Sequence, residues 1–290
     1  MNTDPMIHLT FPSLRQGSAR AAKRPRLRVR SFGKSDLGRV RSTNEDRFLV
    51  APLSPQHRDD LPEGVVDRGH IFAVADGMGG ATAGEAASAL ALDVVEESLV
   101  PALCAVEPPD RAQIREALRA VLKYADSRLL GAAAGRPDLD GMGTTLTVAC
   151  STGRRLFVAH VGDSRCYLLR NGVLRRLTND HTIVQEMVRQ GVLEPERAAH
   201  HGLRHVLSNA IGANTIPPEV ELHEEDLEPG DTVLLCTDGL NEMVSDDDIA
   251  VILHSMREPV PACEELIGRA NDAGGQDNVT VVVAHYEQAS

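Results

Sequence analysis

Four times along this 290-residue chain, a short apolar run of strand character begins or ends at an acidic residue set beside glycine or asparagine. Asn44-Glu45-Asp46 precedes Phe48-Leu49-Val50, and Ile71 to Ala75 stops at Asp76-Gly77. Thr232 to Cys236 stops at Thr237-Asp238-Gly239, and Asp277-Asn278 leads into Val279 to Ala284. Carboxylates gathered in this way are costly unless a cation neutralises them. An all-oxygen donor set with no Cys or His beside it points to Mg²⁺ or Mn²⁺ rather than zinc. The fold is therefore expected to bring widely separated strand ends to one place.

The remaining pattern sets the fold class. Alternation from Leu27 through Val29 to Ser31 and the run at 48–50 predict two strands around a polar turn. A loop rich in Pro and Asp separates them from a buried strand over 71–75. Three glycines in the next four residues, Gly77, Gly79 and Gly80, let the backbone approach whatever Asp76 holds. Residues 82–100 and 110–134 carry apolar side chains near a 3.6 period and predict two long helices.

Thr144 to Cys150, Leu156 to Val161, Arg165 to Leu169 and Val173 to Leu177 then read as successive strands, expected to pair antiparallel with their neighbours. Asn171-Gly172 between the last two is a type I′ hairpin signal. Residues 178–215 hold a helical piece, Ile183 to Arg189, and read as a surface flap. Ser245 followed by Asp246-Asp247-Asp248 opens a further helix, and 279–284 is the last strand. Strands, two helices, a meander, then more helix and strand do not alternate as a doubly wound sheet does. A layered α+β sandwich is expected.

Composition narrows the function classes. With 42% hydrophobic residues the chain can bury one substantial core, read as a single catalytic domain over 26–288 behind a basic arm at 1–25. Aromatics are only 3% and Trp is absent, which speaks against base stacking and a nucleic-acid partner. The formal charge is −12, but residues 1–30 hold seven basic side chains against Asp4, leaving an acidic body of net −18. Such a body attracts a phosphorylated substrate only through bound cations or a local Arg. Five dispersed cysteines without paired spacing fit a reducing cytosol, and no apolar run reaches membrane-spanning length. A cytoplasmic monomer without a membrane span is expected.

Seven segments in series carry a more specific signal: Arg41-Ser42-Thr43-Asn44-Glu45-Asp46, Asp76-Gly77-Met78-Gly79-Gly80, Gly141-Met142-Gly143-Thr144-Thr145, Gly162-Asp163-Ser164-Arg165, Leu177-Thr178-Asn179-Asp180-His181, Thr237-Asp238-Gly239-Leu240 and Gly275-Gln276-Asp277-Asn278. In this order, over residues 27–286, the chain resembles the PPM, or protein phosphatase 2C-like, family of metal-dependent protein serine/threonine phosphatases, in its bacterial branch. The resemblance implies a four-layer α-β-β-α sandwich, two central antiparallel sheets flanked by helices, with a two-metal centre at one end. It also implies hydrolysis of phosphoserine and phosphothreonine by a metal-bridged water, opposing a bacterial Ser/Thr kinase.

Residue by residue, the resemblance implies that Asp76 bridges two Mn²⁺ or Mg²⁺ ions. Asp238 and Asp277 would bind the first ion, and the Gly77 carbonyl and Glu45 the second. Asp163 would join Asp238 at a third. Asp46 would orient the attacking water, Arg41 would bind the phosphoryl oxygens, and Asn278 would support the ligands from behind. Met78 departs from the animal members, which carry a His there, and a thioether cannot donate a proton. The leaving group is then expected to take its proton from water.

Plainer readings stand beside these. Arg41 could serve in a surface ion pair, and Asp163 could simply cap its turn. His200, His201 and His205 read as solvated flap histidines, and Cys236 as a packing residue. A catalytically weak phosphoprotein-binding module and a metal-dependent phosphodiesterase or nuclease are the competing classes. The intact carboxylate set opposes the first, and the acidic body with few aromatics opposes the second.

Overall fold

The computed structural model describes residues 26–53, 69–105, 109–198, 200–213 and 216–289. The basic arm at 1–25 and most of the Pro- and Asp-rich loop lie outside the described residues. Two strands, β1 (Leu27–Asp36) and β2 (Asp46–Pro52), flank the expected polar turn, and β3 (His70–Met78) follows. β3 does not stop at Asp76. It continues through Gly77 and Met78, which pair with the two-residue β4 (Gly143–Thr144).

The first expected helix is three pieces of one rod: α1 (Ala81–Val94), a π-helical turn at Val95–Leu99, and α2 (Val100–Cys104). Pro101 has no N–H to donate one turn back, and the rod changes its hydrogen-bond register just before it. α3 (Arg111–Ala133) starts at a reciprocal cap in which Asp110 and Gln113 each bond the other's backbone N–H.

The meander follows as β5 (Leu146–Thr152), β6 (Arg155–Val161), β7 (Arg165–Arg170) and β8 (Val173–Arg176). Asn171 at φ 52° and Gly172 at φ 80° close the β7–β8 hairpin as expected. Neighbouring strands do not all pair, however. β6 and β7 lie in different sheets, and the turn between them, which carries Asp163, crosses from one sheet to the other. Residues 178–215 hold α4 (Ile183–Arg189) and α5 (Pro195–Ala198). They lead to β9 (Glu221–Asp226), a strand its charged sequence does not advertise. The chain ends with β10 (Thr232–Cys236), α6 (Asp238–Asn241), α7 (Asp246–Ser255), α8 (Pro259–Asp272) and β11 (Val279–Gln288). Ser245 caps α7 by accepting from the Asp248 amide.

The strands form two antiparallel sheets, ordered β1-β11-β10-β7-β8 and β2-β3-β5-β6-β9. Phe72, Val74, Val158, Leu168, Leu235, Val282 and Tyr286 fill the space between them. Ile71, Ala73 and Ala75 face the helical rod and α3 instead, while Leu234, Val281 and Val283 face α7 and α8. Both faces of each central strand are therefore buried, which is why 71–75 and 281–284 read as unbroken apolar runs. The result is the four-layer α-β-β-α sandwich.

Candidate metal centre

Five aspartates and Glu45 gather at one end of the two sheets. Asp46 and Asp76 are direct register partners on β2 and β3. On the other sheet Cys236 pairs with Val281 and with Arg165, so Asp238, Asp277 and Asp163 all lie just beyond the same end of adjacent strands. Glu45 precedes β2, and its side chain lies against Gly84 on α1. A Cβ at Gly84 would sit 1.8 Å from Glu45 Oε2, and one at Gly77 would sit 2.0 Å from the Gly84 carbonyl oxygen. Only glycine at both positions lets the helix start, the end of β3 and Glu45 meet.

The electrostatics show how tightly the acids crowd. Burial, reinforced by Asp46, Asp238, Asp163 and Asp277, holds the Asp76 carboxyl well above the usual range. Burial and then the charges of Asp277 and Glu242 push Asp238 up to about 6. Burial lifts Asp46 to about 7, against hydrogen bonds from the Thr237 and Thr280 hydroxyls. Asp163 is raised by burial and by Asp238 and Asp180, and Glu45 by burial against the pull of Arg41.

Neutral scaffolding fixes these groups in place. Thr237 Oγ1 donates to Asp46 Oδ2 at 2.7 Å. Thr145 Oγ1 accepts from the Asp76 amide, and Thr144 Oγ1 donates to the Asp76 carbonyl. Asn278 donates to the carbonyls of Leu37 and Thr43 and accepts from the Glu45 amide, tying the 37–45 segment to the start of β11.

Arg41 reaches in from the rim, with Nη2 2.6 Å from Asp277 Oδ2. Its hydrogen bond to Asp277 and the charges of Asp277, Glu45 and Asp76 hold its pKa above the ordinary value. The ion pair and the mouth of the acidic centre are thus one location. Cys236 packs beneath Thr237, and burial pushes its thiol up to about 12, away from nucleophilic chemistry.

Divalent cations fit this centre. Asp238 Oδ1 is buried without a hydrogen-bond partner, and the charges of the nearby Asp277 and Glu242 carboxylates add to its burial in opposing its ionisation. A buried, unpaired oxygen in an all-carboxylate ring is the donor chemistry of a hard cation. Sequence reasoning missed Thr145, Thr237, Gly84 and Ser88, whose hydroxyl donates to the Glu45 carbonyl. It also missed Glu242, just past α6, and His205, whose charges act on Asp238. A lone Thr or Ser in an apolar strand gives no signal until its partner is known.

A sequence model of the family described as Protein phosphatase 2C matches residues 55–275. The chain is 36% identical over 259 residues to the serine/threonine phosphatase stp of Listeria monocytogenes, covering 88% of this chain and 94% of that protein. Among solved structures, it is similar to the catalytic domain of the serine threonine protein phosphatase PstP in complex with two manganese ions. That match has a TM-score of 0.73 and 36% identity over 90% of this chain and 99% of that one. The Streptococcus agalactiae serine/threonine phosphatase superposes with a TM-score of 0.78 at 29% identity, over 89% and 99% of the two chains.

Proposed function

The chain belongs to the protein phosphatase 2C family, and from that premise we propose that it removes phosphate from phosphoserine and phosphothreonine in proteins, using Mn²⁺ or Mg²⁺ held by its convergent aspartates. It is a metal-dependent protein serine/threonine phosphatase of the bacterial type. Two ions form the working centre, with a third beside Asp163. The substrates are phosphoproteins, and a Ser/Thr kinase is the opposing activity. Among the described residues no helix is long and apolar enough to cross a membrane, and we place the enzyme in the cytoplasm as a monomer.

The observation that carries this reading is the partnerless, buried Asp238 Oδ1 within a ring of repelling carboxylates. Asp76, Asp238 and Asp277 would hold one ion; Asp76, Glu45 and the Gly77 carbonyl would hold the second; Asp163 would share a third with Asp238. When bound, the cations acidify water and neutralise phosphoryl oxygens as charge moves to the leaving group.

The chain's own groups do the rest. Asp46, buried and fixed by Thr237, presents a carboxylate oxygen that orients the attacking water and accepts its hydrogen bond. Arg41, paired with Asp277 at the rim, would clamp the phosphoryl oxygens with its planar fork once Asp277 serves as a cation ligand. Met78 lies at the end of β3 and cannot donate a proton, so the leaving alkoxide takes one from water.

The deciding test is release of phosphate from phosphoserine and phosphothreonine peptides with Mn²⁺, repeated with EDTA and with Asp76→Asn. Activity should vanish in both controls. Full turnover by Asp76→Asn would remove its role as the bridging ligand.

A further inference from the structure

The Leu177–His181 segment is bonded along its length to the turn that presents Asp163. The Leu177 amide donates to the Cys166 carbonyl at 2.8 Å, and the Cys166 amide to Thr178 Oγ1 at 3.0 Å. Arg165 forms a two-point pair with Asp180 at 2.9 and 2.7 Å. The His181 amide donates to the Gly162 carbonyl at 2.7 Å, and the Gly162 amide donates back to His181 Nδ1 at 3.1 Å. The same histidine holds the far end of the flap. Its carbonyl accepts from the Ser208 amide at 2.9 Å, and Asn209 Nδ2 lies 3.1 Å from Nδ1.

The imidazole's tautomer follows from these partners. Asn209 bonds the Glu219 backbone through both ends of its amide, which fixes Nδ2 as the group facing His181. Two donors therefore converge on Nδ1, which keeps its lone pair, and the proton sits on Nε2, donated to Glu221 Oε2 at 3.1 Å. His160, whose ring centre is 4.8 Å away, is likewise engaged at both nitrogens, by Thr147 and by the Asn179 carbonyl. His160, His181 and Glu221 lie close enough together to resemble a cation site. The nitrogens a cation would need are already committed to hydrogen bonds, so this cluster is a clamp.

We propose that His181 is a positioning residue: it locks the base of the flap to the Gly162-Asp163-Ser164 turn, so that Asp163 faces Asp238 only while the flap base is closed. The inference rests on the assignment of Asp163 made above. It gives the Asp180-His181 pair a physical task, and it extends through Ser164, whose hydroxyl lies 2.7 Å from the Thr145 Oγ1 that holds the Asp76 amide.

The test uses two substitutions that divide the imidazole's contacts in the full chain. The side-chain oxygen of His181→Asn can accept the Gly162 amide where Nδ1 did, whereas His181→Gln reaches toward Glu221 and leaves that amide unpaired. Hydrogen exchange of the 161–165 amides is followed in EDTA, and Mn²⁺ affinities are measured by calorimetry, with Asp163→Asn marking which ion belongs to Asp163. His181→Gln should speed exchange of this segment at least about tenfold and weaken that one ion about tenfold, leaving the other ions unchanged; His181→Asn should do neither. The proposal is overturned if the two variants behave alike, whether both match the wild type or both lower every ion's affinity along with thermal stability. If Asp163→Asn loses no ion, the assignment of Asp163 fails, and the exchange rates alone decide the role of His181.

Discussion

Replacing Asp238 by Asn should make the metal-free protein more stable while destroying its response to metal. In the fold, burial and the charges of Asp277 and Glu242 raise the Asp238 carboxyl from 3.8 to about 6. A little over two pKa units, at about 1.36 kcal/mol each, places the cost of ionising it near 3 kcal/mol. Solvent screening and an imperfectly bonded amide trim the gain from Asn to roughly 1–3 kcal/mol, a Tm rise of about 2–5 °C for a domain of this size. The sign follows from linkage. A carboxyl raised in the folded state costs nothing below about pH 4, where both states hold the proton, and costs most once pH exceeds the folded value near 6.

Thermal unfolding in EDTA should therefore show Asp238→Asn above the wild type at pH 8 and level with it at pH 4. Saturating Mn²⁺ should reverse the order at pH 8, because only the wild type gains binding free energy. An Asp238→Asn protein no more stable than the wild type at pH 8 in EDTA would refute the idea that these carboxylates are held in the fold against their own repulsion.

Two further substitutions probe the rim and the scaffold. Arg41→Lys keeps the charge but loses the planar fork, so KM for a phosphopeptide should rise about tenfold with kcat little changed; equal losses in kcat and kcat/KM would place Arg41 in the chemical step. Gly84→Ala would set a Cβ 1.8 Å from Glu45 Oε2, and displacing that carboxylate should weaken Mn²⁺ binding by roughly 10-fold or more in calorimetry. Unchanged affinity would separate Glu45 from the cations.

The legible part of the centre was what the backbone advertises. Asp238 and Asp277 follow or precede an apolar run and sit beside Gly or Asn, so their place just beyond strand ends could be read residue by residue; Asp76 could be read as an acid beside glycines, but not that β3 runs on past it to Met78. β9 could not be, because Glu221-Leu222-His223-Glu224-Glu225-Asp226 lies at a sheet edge, where charged side chains are tolerated. The jump of Gly162-Asp163-Ser164 between sheets was also hidden. A glycine-bearing turn between two strands looks the same whether the strands pair or part.

Local chemistry in the chain was enough to determine that carboxylates would stand at strand ends, that Asn171-Gly172 would turn a hairpin, and that hard cations would suit the donors. Those properties depend on neighbouring residues alone. Only the tertiary structure decided that Asp46 faces Asp76, that Thr237 holds Asp46 from 191 positions away, and that Arg41 and Asp277 share one rim. Such contacts depend on strand register and on which sheet each strand joins, and these are settled by burying both faces of the central strands at once.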